Sequence, residues 1–150
     1  MILNKQVGVF LNLVHCQFKQ YLKKVFHKHG FNMTPEQFLV MDTLWDDGVL
    51  SQQQIADIIL KDKNSVTKLI DALENKNLVT RRMDETDRRL NKIHLTEYSI
   101  SIKEKITQIA LESTDRIIKD IPKEDLINFV KVLNTMSHNM SAFSSSDDND

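Results

Sequence analysis

The chain has 150 residues, 41% hydrophobic and 27% charged, with three glycines, two prolines and a net charge of -1. That length buries one core with little room for a second, and so few glycines and prolines favour long helices over sheets. No apolar run reaches the roughly 20 residues that span a bilayer, the start Met1-Ile2-Leu3-Asn4-Lys5 lacks a secretory layout, and one cysteine makes no internal disulfide, so a reducing cytoplasmic setting with no membrane contact is expected.

Val7, Phe10, Leu11, Val14, Phe18, Tyr21, Leu22 and Val25 form an apolar stripe that predicts an N-terminal helix closing at His27-Lys28-His29-Gly30. Gly48-Val49-Leu50-Ser51 reads as a turn. Ser51 followed by Gln54 is a capping-box pattern, and the helix it opens has Ile55, Ala56, Ile58 and Ile59 for its buried side. Lys61-Asp62-Lys63-Asn64 interrupts the apolar pattern, with Asp62 placed to cap a second helix. Val66, Leu69, Ile70 and Leu73, spaced i, i+3, i+4, i+7, form the core face of that helix. Lys63, Asn64, Ser65, Thr67 and Lys68 are thereby turned outward, offering amines, an amide and hydroxyls that bond base edges and phosphates. An ordinary solvated helix face has the same composition, so the segments that follow decide between the two.

Asn77 stands where the second helix must end, and asparagine tolerates the left-handed conformation that closes helices. Leu78-Val79-Thr80-Arg81-Arg82 reads as a strand and Lys92-Ile93-His94-Leu95 as its return, with Ile93 and Leu95 on one face and His94 on the other. The polar loop between them carries Arg88 and Arg89, and a guanidinium there suits the narrow, strongly negative minor groove of duplex DNA. From Lys61 to Lys92 there are nine basic and six acidic residues, against six basic and ten acidic from Ile93 onward. A near-neutral chain thus has a locally positive face. After Thr96, Ile102, Ile106, Ile109, Ile117 and Ile118 mark a long helix, and Pro122 opens a last one carrying Leu126, Phe129, Val130, Leu133, Met136 and Met140. Three apolar helices outside a compact reader exceed what a monomer hides, and a two-fold dimer would cover them while setting two recognition helices about 34 Å apart, one turn of DNA.

The expected fold is mainly α with a small β-hairpin wing: a winged helix-turn-helix of about residues 34–96, flanked by dimerisation helices of about 4–29 and 97–141. These form one domain over 1–143, and Ser144 to Asp150 is expected to be a disordered acidic tail.

Several pieces in this order resemble the MarR family, the multiple-antibiotic-resistance regulators. They are Met33-Thr34-Pro35-Glu36-Gln37-Phe38, Gly48-Val49-Leu50-Ser51, Ile55-Ala56, the run Ser65 to Glu74, Leu78-Val79, Asp87-Arg88-Arg89 and Leu95-Thr96. The resemblance extends from Val7 to Met140. It implies a winged-helix homodimer on double-stranded DNA that represses or activates genes. On this pattern Ser65, Thr67 and Lys68 contact the major groove, Arg89 is the wing-tip contact, and Asp87 orients the wing. It also implies a small, often aromatic effector in a crevice between the dimer helices and the reader, for which His15, Phe18 and Ile109 are the positions indicated. The chain departs from the pattern at Asn77 and Ser99, where the family often has glycine, and at Glu85, where it often has proline; a looser wing and a less sharp turn into the next helix are expected.

Other chemistry is sparse. Cys16 lies on the first helix, where the commoner role of a lone cysteine is that of a small buried hydrophobe and the rarer one an oxidation sensor. His27 and His29 are spaced i, i+2 and do not share a helix face, so a metal site is not expected. His15 and His138 stand alone. No Ser-His-Asp set, nucleotide loop or carboxylate pair points to an enzyme, and no cofactor is implied. The remaining alternative is a winged-helix module that docks a protein, its basic face incidental. Salt separates the two, because phosphate binding weakens steeply as salt rises.

Overall fold

The computed structural model describes residues 2–147, with side chains as far as Ser144. In chain order it contains α1 (Leu3–Lys28), α2 (Pro35–Asp47), β1 (Leu50–Ser51), α3 (Gln52–Ile59), α4 (Lys63–Asn75), β2 (Val79–Met83), β3 (Asn91–Leu95), α5 (Glu97–Ile117) and α6 (Lys123–Asp147). Two compact units are distinguished, one through Ser113 and one from Thr114.

Local chemistry sets the helix ends of the first unit. Thr34 caps α2 through a reciprocal pair with Gln37, and Pro35 at the first helical position has no amide to leave unpaired. Ser51 and Gln54 repeat the device at α3, at 3.1 and 2.9 Å, as the Ser-x-x-Gln pattern predicts. The carboxylate of Asp62 accepts the Ser65 amide at 2.8 Å and starts α4. At the other end Asn77 takes φ 58, and the Leu78 amide reaches back to the Leu73 carbonyl at 3.0 Å. A left-handed residue also ends α3, but here it is Leu60, with φ 57 and 85% exposed. A leucine in that conformation is strained by roughly 1–2 kcal/mol, which the short connection from α3 to α4 imposes.

Val66, Ile70 and Leu73 of α4 are fully buried, with Leu69 packed beside them. They meet Val40, Met41 and Leu44 of α2, Ile55 of α3, Ile93 of β3, Phe26 of α1 and Ile106 of α5 in one core. Ile58 departs from expectation at 49% exposed, because it falls off the face that Ile55, Ala56 and Ile59 share on an eight-residue helix. The sheet has three strands rather than a bare hairpin, in the order β1-β3-β2, all antiparallel. Leu50 and Ser51, predicted as part of a turn, pair with Ile93 and Lys92. Two residues are too few to show alternation, so β1 has no sequence signature of its own.

Thr96 links the sheet to α5. Its hydroxyl donates to the Asn77 carbonyl at 2.8 Å and accepts the Ser99 amide at 3.1 Å, while the Ser99 hydroxyl returns to the Thr96 carbonyl at 2.8 Å. Ser99 is fully buried, so the serine standing in a glycine-favoured place stitches the turn closed.

In the second unit, α6 exposes Ile127, Phe129, Val130, Val132, Met140 and Phe143. It continues through Ser144 to Asp147, residues assigned by composition to the acidic tail; the Ser144 hydroxyl bonds the Met140 carbonyl one turn back at 3.0 Å, holding the helical course. The rest of the predicted tail, 148–150, lies outside the described residues. Among the described residues no helix is long and apolar enough to cross a membrane.

Candidate nucleic-acid interface

With the core face of α4 turned inward, Lys63, Asn64 and Lys68 are exposed and Ser65 and Thr67 half-exposed, all on one helix. Their polar groups are not equally available. The Ser65 hydroxyl donates to the Asp62 carboxylate at 2.9 Å, and the Thr67 hydroxyl donates to the Lys63 carbonyl at 2.9 Å while accepting from Gln52 at 3.3 Å. Both hydroxyls therefore serve the helix first, a commitment that residue type alone does not reveal. The same bonds from the Ser65 amide and hydroxyl hold Asp62 below the usual carboxylate range.

The hairpin carries the other expected groups at its tip. Arg89 is 89% exposed, and its Nε and Nη2 donate to the two carboxylate oxygens of Asp87 at 3.0 and 3.1 Å. A third bond, from the Arg89 amide to Asp87 at 3.0 Å, fixes the backbone with the side chain. The Arg89 side chain and then its amide hold Asp87 below its ordinary range, and the same pairing pushes the guanidinium up. The loop base is closed by the Asp84 amide on the Leu90 carbonyl at 2.9 Å. Asp84 in turn accepts the Thr86 amide and hydroxyl, both at 3.0 Å, bracing the turn where Glu85 was expected to loosen it. Arg88 is exposed beside Arg89.

Arg81 joins these two parts, and sequence reasoning counted it only as one more positive charge. From β2 its side chain reaches Asp71 and, at 3.3 Å, both Glu74 and the Thr67 carbonyl on α4, and Gln52 at the start of α3 at 3.0 Å. The Arg81 amide adds a bond to Glu74 at 3.1 Å. Its signal was present: an arginine in a strand, following an acidic pair, Asp71 and Glu74, spaced i, i+3 on the preceding helix.

The positive face is narrower than the residue count implies. Arg81 is neutralised by Asp71 and Glu74, and the Lys76 ammonium is turned to the Asn32 carbonyl and Gln37, both at 2.7 Å, with burial pushing it below its ordinary value. Lys92 lies 3.9 Å from Asp84. Lys63, Lys68, Arg82, Arg88 and Arg89 carry the exposed charge.

The effector residues that the resemblance indicates differ in exposure. His15 is exposed on α1, Phe18 packs against the core and Ile109 is part of it. A cleft of about 250 Å³ lies elsewhere in the first unit, among Phe31, Met33, Lys76, Leu78, Tyr98 and Ile102. Cys16 is exposed, not the buried hydrophobe that a lone cysteine more often is. The His29 ring bonds the Val25 carbonyl at 2.9 Å, a helix-end role.

A family model described as MarR family matches residues 33–90. The HTH-type transcriptional regulator MhqR of Bacillus subtilis (strain 168) is 30% identical over 135 residues, which span 90% of this chain and 92% of that protein. Among solved structures, a MarR transcriptional regulator from Methanosarcina mazei Go1 superposes with a TM-score of 0.82 at 20% identity, covering 93% of this chain and 99% of that one. A mutant MarR from E. coli complexed with operator DNA superposes with a TM-score of 0.80 at 17% identity, covering 87% and 93%. At these identities the structural likeness is one of fold: mainly helical, with the small antiparallel sheet.

The junction at Arg81 is testable without DNA. Arg81→Lys keeps the charge but loses the planar fork, and should lower stability by about 1–2 kcal/mol in urea unfolding; Arg81→Ala should lower it further by leaving Asp71 and Glu74 unpaired. Unchanged unfolding midpoints for both variants would show that the guanidinium does not hold β2 to α4.

Proposed function

The chain belongs to the MarR family, and on that premise we propose that it is a transcription regulator that binds double-stranded DNA as a homodimer. The observation that carries this reading is the attachment of two exposed basic features to one hydrogen-bonded frame. The outer face of α4 and the Arg89 tip of the hairpin are joined through Arg81, so the distance between them is fixed before any partner arrives. In this reading α4 enters the major groove with Lys63, Asn64, Ser65, Thr67 and Lys68 toward the bases and phosphates, and Arg88 and Arg89 approach the adjoining minor groove. Asp87 makes no contact with DNA in this reading; it aims Arg89. The protein is not an enzyme, and its place is the cytoplasm, where the DNA is.

Exposed Val7, Phe10, Leu11 and Val14 on α1, and Phe129, Val130 and Met140 on α6, support self-association, since water is a poor neighbour for so many large apolar side chains. A two-fold axis then presents two copies of α4 to successive turns of the groove. Responsiveness to a small aromatic ligand belongs to the same proposal, with the cleft walled by Phe31 and Tyr98 as its place.

Three measurements test these parts. In fluorescence anisotropy over a salt series, Arg89→Ala should weaken duplex binding and flatten the dependence of log K on log salt by about one charge per subunit. Asp87→Ala should also weaken binding, although it removes a negative charge; tighter binding would mean that the aspartate only repels phosphate. Leu133→Glu on α6 should turn a dimer into a monomer by light scattering and weaken DNA binding with it, and DNA binding by a wild-type monomer would end the dimer proposal. Tyr98→Ala should abolish the thermal shift produced by an aromatic acid, while a shift that survives unchanged places that ligand outside the cleft.

A further inference from the structure

We infer that Asn64 is the residue of α4 that reads adenine. The inference rests on the proposed placement of α4 in the major groove and goes beyond it, to the identity of a base.

The argument is one of hydrogen-bond inventory. In the major groove adenine presents an acceptor at N7 beside a donor at N6, guanine presents two acceptors, cytosine a donor, and thymine an acceptor beside a methyl group. A side chain that singles out adenine must offer a donor and an acceptor together, side by side in one plane. Lys63 and Lys68 have donors only. The Ser65 hydroxyl spends its proton on Asp62, and the Thr67 hydroxyl spends its own on the Lys63 carbonyl. Both retain acceptor capacity alone, which Thr67 already shares with Gln52. Asn64 is exposed on the same face at the start of α4, and no bond among the described residues engages its carboxamide. Its Nδ2 can donate to adenine N7 while its Oδ1 accepts from N6, and guanine in the same place would set O6 against Oδ1.

The bonds that disqualify Ser65 also serve Asn64. Asp62 anchors the first turn through the Ser65 amide and hydroxyl, so the backbone that carries Asn64 is fixed. Lys63 and Lys68 then flank a neutral reader with donors that suit phosphates and guanine acceptors but do not single out adenine.

The test selects binding sequences from a randomised duplex library with the full-length protein and with Asn64→Ala, then replaces the selected adenine by 7-deazaadenine, which lacks N7. Wild type should enrich a motif with adenine at one fixed position of each half-site, and Asn64→Ala should lose the preference at that position only. At that position 7-deazaadenine should weaken wild type by about tenfold per half-site and leave Asn64→Ala unaffected. The salt dependence of Asn64→Ala should equal that of wild type, because a neutral side chain displaces no counterion. A motif that both proteins enrich identically, a motif without adenine, or an equal 7-deazaadenine effect in both overturns the inference while leaving the DNA-binding proposal standing. A wild-type protein that enriches no duplex overturns both. The modified duplex is read with wild type, so poor folding of the variant cannot mask the result.

Discussion

A guanidinium is planar and rigid, so when Arg81 bonds Asp71, Glu74 and the Thr67 carbonyl on α4 together with Gln52 on α3, it fixes where β2 stands against both helices. The hairpin inherits that position, since β3 pairs with β2 along its length from Leu95 opposite Val79 to Asn91 opposite Met83. A two-residue strand at the other edge ties β3 to the start of α3, through Leu50 opposite Ile93. The sheet is therefore held on one side by backbone pairing and on the other by a charged fork. A lysine in place of Arg81 would reach one of these partners at a time, and the hairpin could swing relative to α4. Two surfaces meant to engage neighbouring grooves of one duplex gain from such a joint, because alignment achieved in folding is not lost as entropy on binding.

The parts of this fold that were legible in the sequence are those decided within four residues along the chain. Ser51 with Gln54, Asp62 with Ser65, and Asn77 at the end of α4 each act on neighbouring amides and carbonyls, so residue type and spacing suffice. The apolar period of α4 was equally plain, since three of its four predicted core residues are fully buried and the fourth packs against them. What escaped depends on partners distant in sequence or on conformations against propensity. β1 becomes a strand only because β3 arrives some forty residues later. Leu60 takes a left-handed conformation that its type disfavours, and Ile58 points outward from a helix too short to bury a wide face. The role of Arg81 likewise follows from contacts across elements.

Charge shows the same division between composition and geometry. Counting residues makes Lys61 to Lys92 broadly basic, yet Arg81 and Lys76 are spent inside the fold, one on carboxylates and one on a carbonyl and an amide. What remains exposed is confined to the outer face of α4 and to the hairpin. Concentrating charge in this way matters more than its total, because screening at physiological salt limits a surface charge to about 8 Å of reach. A cation that does not come that close to a phosphate adds little to binding.

The hairpin tip shows why an acidic residue can belong in a positively charged surface. An exposed ion pair contributes little to stability, so the Asp87–Arg89 pair is poorly explained as a fastening. Its geometry offers a better account: two side-chain bonds and one backbone bond converge on a single carboxylate, and together they reduce the many conformations of a long, 89% exposed arginine toward one. Asp84 is similarly engaged with Thr86 across the turn. Asp84 and Asp87 stay ionised at neutral pH and both are occupied by donors of their own loop, so the tip presents a positioned guanidinium outward while these two acids are engaged along the chain. The negative charge is thereby used to aim the positive one, and a loop that buries nothing acquires a defined shape from hydrogen bonds alone.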